Sequence, residues 1–123
     1  MAVSRGDCVC CVRAAISVEP AMAFKNAEVR KRANVYHGGR VTSRSVITAE
    51  GEMKSLGVML PGVYRFNTEA PEVIDVTQGR CRVRVADEIE WREYAAGESI
   101  RIPGNAHFEI EVTELIDYVC HFG

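Results

Sequence analysis

No apolar run in the chain approaches the ~18 residues that a membrane-crossing helix needs, so no helical span and no membrane partner is expected. Charge of one sign is also lacking. The formal net charge is -2, and the slight imbalance is uneven. Residues 1–40 carry seven Lys/Arg against three Asp/Glu, whereas residues 41–123 carry eight against fourteen. Phosphate backbones require a basic face, so an acidic main body argues against nucleic acid as the partner. There is no internal repeat, no low-complexity linker, and no amphipathic helix of useful length after residue 35. Histidine is scarce at three residues, and His37 and His121 have no partner signal, which makes them surface residues on this reading.

What is present suits one domain. A chain of 123 residues with 47% hydrophobic content can bury roughly two-thirds of its unfolded surface. Residues 1–32 lack a packing pattern and read as a poorly ordered extension, or as sequence preceding a natural start near Met22. Cys8, Cys10 and Cys11 cluster there without a second ligand pair at zinc spacing. Asp7 and Arg13 interrupt what would otherwise imitate a secretory signal. Cys81 and Cys120 fall at apolar strand positions, as buried thiols of a reducing cytoplasm would.

Residues 33–123 read as the folded domain. Short β-rich runs alternate with turn signals: Ala49-Glu50-Gly51, Pro61-Gly62, Ala70-Pro71, Gln78-Gly79, Ala95-Ala96-Gly97 and Pro103-Gly104-Asn105. That punctuation predicts an all-β sandwich or barrel, with separate strands at Val73–Thr77 and Cys81–Ala86, and at His107–Glu111 and Ile116–Phe122. Arg80, Arg82 and Arg84 alternate with apolar neighbours and should coat a solvated sheet face, with Trp91 as a packing residue.

The chemistry concentrates in Gly62–Gly79. Tyr64, Phe66 and Thr68 share one face of a strand, and Glu72, Ile74 and Val76 share one face of the next. If both faces point inward, a phenol, an aromatic ring, a hydroxyl and a carboxylate meet in one pocket, with Gly97–Phe108 as the other wall. Each residue also has a plain structural role open to it. Glu72 caps the turn after Pro71, Thr68 fills a strand, and Tyr64, Phe66 and Phe108 pack a core. His107 has the parity of Glu109 and Glu111, so strict alternation points it outward unless the Pro103–Asn105 turn rotates it.

Two resemblances follow from these residues. Gly97-x5-Pro103-Gly104-x-x-His107 resembles the second motif of cupins, double-stranded β-helix (jelly-roll) barrels, with the loop one residue short. Anchored on Glu72 and Gly79, the first cupin motif puts its two histidines at Phe66 and Thr68, and its opening glycine on Leu60. The fourth ligand position falls on Phe108. Phenylalanine and threonine do not replace imidazoles, so a cupin metal centre is not expected.

The span Ala33–Phe122, about three-quarters of the chain, resembles the small single-cupin pyrimidine/purine nucleoside phosphorylases. The match rests on Gly57-Val58-Met59 and on Gly62-x-Tyr64-x-Phe66-x-Thr68-x-x-Pro71-Glu72. Gly79, Trp91, Ala96-Gly97, Pro103-Gly104, Phe108 and Tyr118-x-Cys120 complete it. The resemblance implies a broad-specificity, metal-free phosphorolysis of purine and pyrimidine nucleosides, with inorganic phosphate as co-substrate, by a homodimer paired through its sheets. On that chemistry Glu72 faces the developing charge or the ribose hydroxyls, and His107 or Tyr64 donates to the departing base. Phe66 and Phe108 form walls for the base. Thr68, Arg101, Arg44 and the Gly104-Asn105 amides are the candidates for phosphate. A non-catalytic metabolite-binding cupin and a metal-dependent cupin oxygenase are the alternatives.

Overall fold

The computed structural model describes residues 22–122. The Cys8, Cys10 and Cys11 cluster lies outside them. The strands are β1 (Glu28–Val29), β2 (Asn34–Tyr36), β3 (Val41–Ile47), β4 (Met53–Met59), β5 (Gly62–Asn67), β6 (Glu72–Val85), β7 (Arg92–Ala95), β8 (Ser99–Ile102) and β9 (His107–Phe122). One 3-10 turn, His37–Gly39, joins β2 to β3. All pairings among these strands are antiparallel.

Two long strands carry the architecture. β6 and β9 run beside each other along their whole lengths, from Phe108 opposite Val85 to Phe122 opposite Glu72. The C-terminal half of β9 also pairs with β4, which continues to β3. The N-terminal half of β9 pairs with β5 instead. β8 lies on the first half of β6, and β7 on its second half. Bending β6 and β9 at the middle thus folds one sheet into two facing walls.

The bend replaces a predicted turn. Gln78-Gly79 does not separate two strands; it is the corner of one. Gly79 holds a φ of 90°, and a Cβ there would fall 2.0 Å from the Leu115 carbonyl oxygen of β9. Only glycine permits that backbone and that approach together. The register slips between Val112 and Tyr118, and the extra residue in β6 changes which parity faces inward. Ile74 and Val76 are buried before the corner, and Cys81 and Val83 after it. For the same reason His107–Glu111 and Ile116–Phe122 are halves of β9, not separate strands.

The inner faces supply the core. Ile100, Ile110 and Ile116 are fully buried, surrounded by Val41, Met59, Ile74, Val76, Val83 and Val112. Burying each such side chain contributes roughly 1.5–3 kcal/mol. The outer face of the second wall is the arginine comb, as alternation predicts. Arg82 Nε reaches Glu111 at 2.5 Å, Arg84 Nε reaches Glu109 at 3.1 Å, and both guanidinium groups lie over Trp91, 4.9 and 4.8 Å from its ring centre. The sheet begins upstream of residue 33, because Glu28 and Val29 pair with Ile47 and Val46.

Candidate active site

Between the two walls lies a cavity of about 160 Å³. β5 and β9 bring Phe66 and Phe108, whose rings stack with centres 5.6 Å apart and planes at 29°. β6 brings Glu72 and Ile74, and the end of β9 brings Tyr118, Cys120 and Phe122. β3 and β4 close the remaining side with Val41, Ser43, Ser55 and Met59. Tyr36 and Phe122, each 45% exposed, stand at the mouth. Tyr36 meets Phe66 edge-on at 6.0 Å.

Glu72 is the only ionisable acid of the Asp/Glu type in this lining. Desolvation by burial raises its pKa above the ordinary carboxylate value, and a hydrogen bond from Cys120 opposes that only in part. The Cys120 thiol donates to Glu72 Oε1 at 3.5 Å. Burial, and then the nearby Glu72 charge, push this thiol up to about 12, so it stays protonated at neutral pH. Burial likewise drives the Tyr118 phenol well above its usual range. Its hydroxyl is partnered by Ser43, which also accepts from Asn34 Nδ2 at 3.2 Å. The cavity therefore sets one carboxyl among neutral O–H and S–H donors, beside a stacked aromatic wall.

Of the residues singled out from sequence, the cavity unites Phe66, Phe108 and Glu72. Thr68 faces inward but lies outside the cavity lining. Its hydroxyl donates to the Pro103 carbonyl at 2.7 Å and accepts from the Ala106 amide at 3.1 Å, clamping two loops together. Tyr64 is buried, and its hydroxyl donates to the Leu60 carbonyl at 2.6 Å. His107 sits on the parity of Glu109 and Glu111, outside the cavity, as alternation indicates. Arg44 and Arg101 are exposed and away from the lining, on β3 and β8. Of the expected Gly97–Phe108 wall only Phe108 reaches the cavity; β3 and β4 take its place.

Sequence reasoning missed Ser43, Ser55 and Tyr118 as site residues. The signal was a serine at the parity of Val41 on β3, and another at the parity of Gly57 and Met59 on β4. A buried hydroxyl on an otherwise apolar face needs a partner or a ligand.

A strand-only roll of two walls, with an aromatic and carboxylate-bearing cavity between them, defines a single-domain cupin. The fold matches a structure of Bacillus subtilis oxalate decarboxylase with a TM-score of 0.59 at 16% identity, over 80% of this chain and 28% of that one, a likeness of fold alone. It matches a crystal structure of a protein of unknown function from Acinetobacter sp. ADP1 with a TM-score of 0.79 at 42% identity, over 82% of this chain and 98% of that one. A curated relative in Cupriavidus metallidurans, named pyrimidine/purine nucleoside phosphorylase, is 50% identical over 81% of this chain and 97% of its own length. The sequence model of the pyrimidine/purine nucleoside phosphorylases matches residues 31–122, and the chain belongs to that family.

Proposed function

We propose that the chain splits purine and pyrimidine nucleosides with inorganic phosphate, giving free base and pentose 1-phosphate. The observation that carries this reading is the half-buried Glu72 facing the Phe66–Phe108 wall, in a chain of this family. At about 160 Å³ the cavity is smaller than the ~300–1,000 Å³ of sites that enclose a whole small molecule. It holds the flat base against the aromatic wall and leaves the pentose at the mouth, near Glu72, Tyr36 and Phe122. Stacking reads no base edges, which suits broad specificity.

In the reaction, a phosphate oxygen bonds to the anomeric carbon as the carbon–nitrogen bond breaks. The bonding pair leaves with the base, which takes up the proton that the attacking hydrogen phosphate gives up. Glu72, as carboxylate, offsets the positive charge that develops on the sugar; as carboxylic acid, it hydrogen-bonds the pentose hydroxyls. The Tyr118 hydroxyl, kept protonated by burial, hydrogen-bonds the departing base without giving up its proton. Tyr64 and Thr68 act through the frame, since their hydroxyls are taken by loop carbonyls.

Phosphate is the co-substrate, and the reading calls on no organic cofactor or metal. The chain works as a cytoplasmic homodimer. Cys81 and Cys120 as free buried thiols support the reducing compartment. The outer groove over β4, β6 and β9, which Met22–Lys25 also line and where Leu56 is 40% exposed, is the sheet face offered for pairing.

The test follows free base by chromatography from uridine, cytidine, inosine, guanosine and adenosine, with and without phosphate, in chelator. Release that needs phosphate and falls in Glu72→Gln supports the reading. Release without phosphate makes the protein a hydrolase. No release, with nucleosides still raising the melting temperature, makes it a binding cupin.

A further inference from the structure

Phosphorolysis needs an anion held beside the pentose, yet the cavity lining contains no Lys, Arg or His. The nitrogen-bearing side chains that can face an anion on the segment leading Tyr36 and Val41 into the cavity are His37 and Arg40. Their turn has unusual backbone. His37, although not glycine, holds a φ of 52°, and Gly38 and Gly39 follow at 67° and 95°. A left-handed φ at a non-glycine residue such as His37 is costly unless the surroundings impose it, and such strain gathers at binding sites. The Arg40 amide closes the turn on the His37 carbonyl at 3.2 Å, and the Gly38 amide takes part in none of the hydrogen bonds that join turns and loops among the described residues. No heavy atom lies within 4 Å of where a Cβ would stand on either glycine, so the space beside them is open. A backbone amide turned to open space in such a turn is a donor for an anion.

The turn is also braced against the site. The His37 ring meets Phe66 edge-on at 5.0 Å and lies 5.0 Å from Tyr64. The Arg40 guanidinium donates to the Pro61 carbonyl, beside the entry to β5. The Leu60 amide donates to the Arg40 carbonyl at 2.8 Å, and Tyr64 donates to the Leu60 carbonyl. The same loop thus fixes both side chains relative to Phe66.

We propose that the His37–Arg40 turn, with the Arg40 guanidinium, the His37 ring and the Gly38 amide at the cavity mouth, is the subsite for inorganic phosphate. Calling that phosphate the co-substrate rests on the phosphorolytic reading; the anion site itself does not. Arg40 supplies a permanent charge and a forked donor, His37 a ring N–H, and Gly38 a backbone N–H that no substitution of side chains removes. An anion there sits next to the pentose end of a nucleoside whose base stacks on Phe66.

The experiment compares wild type with Arg40→Gln, Arg40→Lys and His37→Gln, all checked for unchanged melting. A lost charged hydrogen bond is worth ~1.5–3 kcal/mol, so phosphate KM should rise roughly tenfold or more in Arg40→Gln, while nucleoside KM stays within about twofold. His37→Gln should raise it less, and Arg40→Lys should recover part of the loss. Calorimetric titration of inorganic phosphate into nucleoside-free protein should show binding that weakens in Arg40→Gln. Phosphate KM unchanged in both Gln variants of an active enzyme overturns the subsite and leaves the phosphorylase reading intact. If wild type releases no base, the phosphorylase reading fails and the titration decides alone. Binding weakened by Arg40→Gln then still supports the anion site, and absent or unaltered binding overturns it.

Discussion

Thr68→Val separates a structural hydroxyl from a reacting one. Thr68 is 5% exposed, and valine has nearly its shape, so the change removes the hydroxyl and little else. Two partners are left behind: the Pro103 carbonyl, which accepts at 2.7 Å, and the Ala106 amide, which donates at 3.1 Å. The backbone bonds Thr68 N to Ala106 O at 2.8 Å and Asn105 N to Glu69 O at 3.1 Å keep the loops together, so water does not freely replace the missing partner. Each neutral hydrogen bond contributes ~0.5–1.5 kcal/mol net, and a buried orphan costs ~1–3 kcal/mol. A destabilisation of about 2 kcal/mol follows, or roughly 8–16 °C in Tm for a domain near 100 residues. The assay is thermal unfolding at one fixed protein concentration, paired with base release well below the variant's melting range. Thr68→Val should melt early and keep kcat within about threefold. An unchanged Tm with kcat reduced ~100-fold would refute the clamp and return Thr68 to the reacting groups.

Gly79→Ala should destabilise by about 3 kcal/mol or more, because the added Cβ meets the Leu115 carbonyl at 2.0 Å and φ is 90°; denaturant midpoints measure it. Phe66→Ala should raise nucleoside KM about tenfold, since stacking on one ring is worth ~1–3 kcal/mol, with phosphate KM far less affected; steady-state kinetics in both substrates show the split. Glu72→Gln should abolish most base release while stabilising the fold above the ordinary carboxylate range. Burial raises the folded pKa of Glu72 above 4.5, so the native chain holds this proton after the unfolded chain has lost it, and its contribution to stability falls as pH rises through that window. The Tm advantage of Glu72→Gln should therefore grow as pH rises above the ordinary carboxylate pKa; a constant or reversed difference contradicts the burial argument.

Alternation was the reliable part of the sequence. It placed Tyr64, Phe66 and Thr68 on one inner face, Ile74 and Val76 in the core, the arginine comb outside, and His107 away from the cavity. Parity gives the face of a residue and not its height along the wall. Tyr64 and Thr68 share the face of Phe66, but their hydroxyls end at the Leu60 and Pro103 carbonyls, to either side of the cavity. Gly79 shows a second limit. A hairpin turn and a sharp strand corner both call for glycine at positive φ, and only the pairing of β6 with β9 distinguishes them. The Ser43 and Ser55 side of the cavity depends on β3 and β4 meeting the end of β9, a long-range contact that no local pattern encodes.

The cupin motif positions acquire a physical account from these contacts. Phe66 and Phe108, at two ligand positions of the pattern, stack on each other, and Thr68, at a third, is spent on the loops. Glu72 alone keeps the ligand chemistry of its position. A cation beside a carboxylate lowers its pKa, whereas burial against apolar rings raises it. Replacing imidazoles by rings and a clamp thus converts a metal-ligand position into a carboxyl that holds its proton longer. Its neighbours do not compete for that role: Cys120 is pushed up to about 12 and the Tyr118 phenol also upward. The change of charge within the cavity then falls to Glu72, above the ordinary carboxylate range, at the cost in stability that its removal should recover.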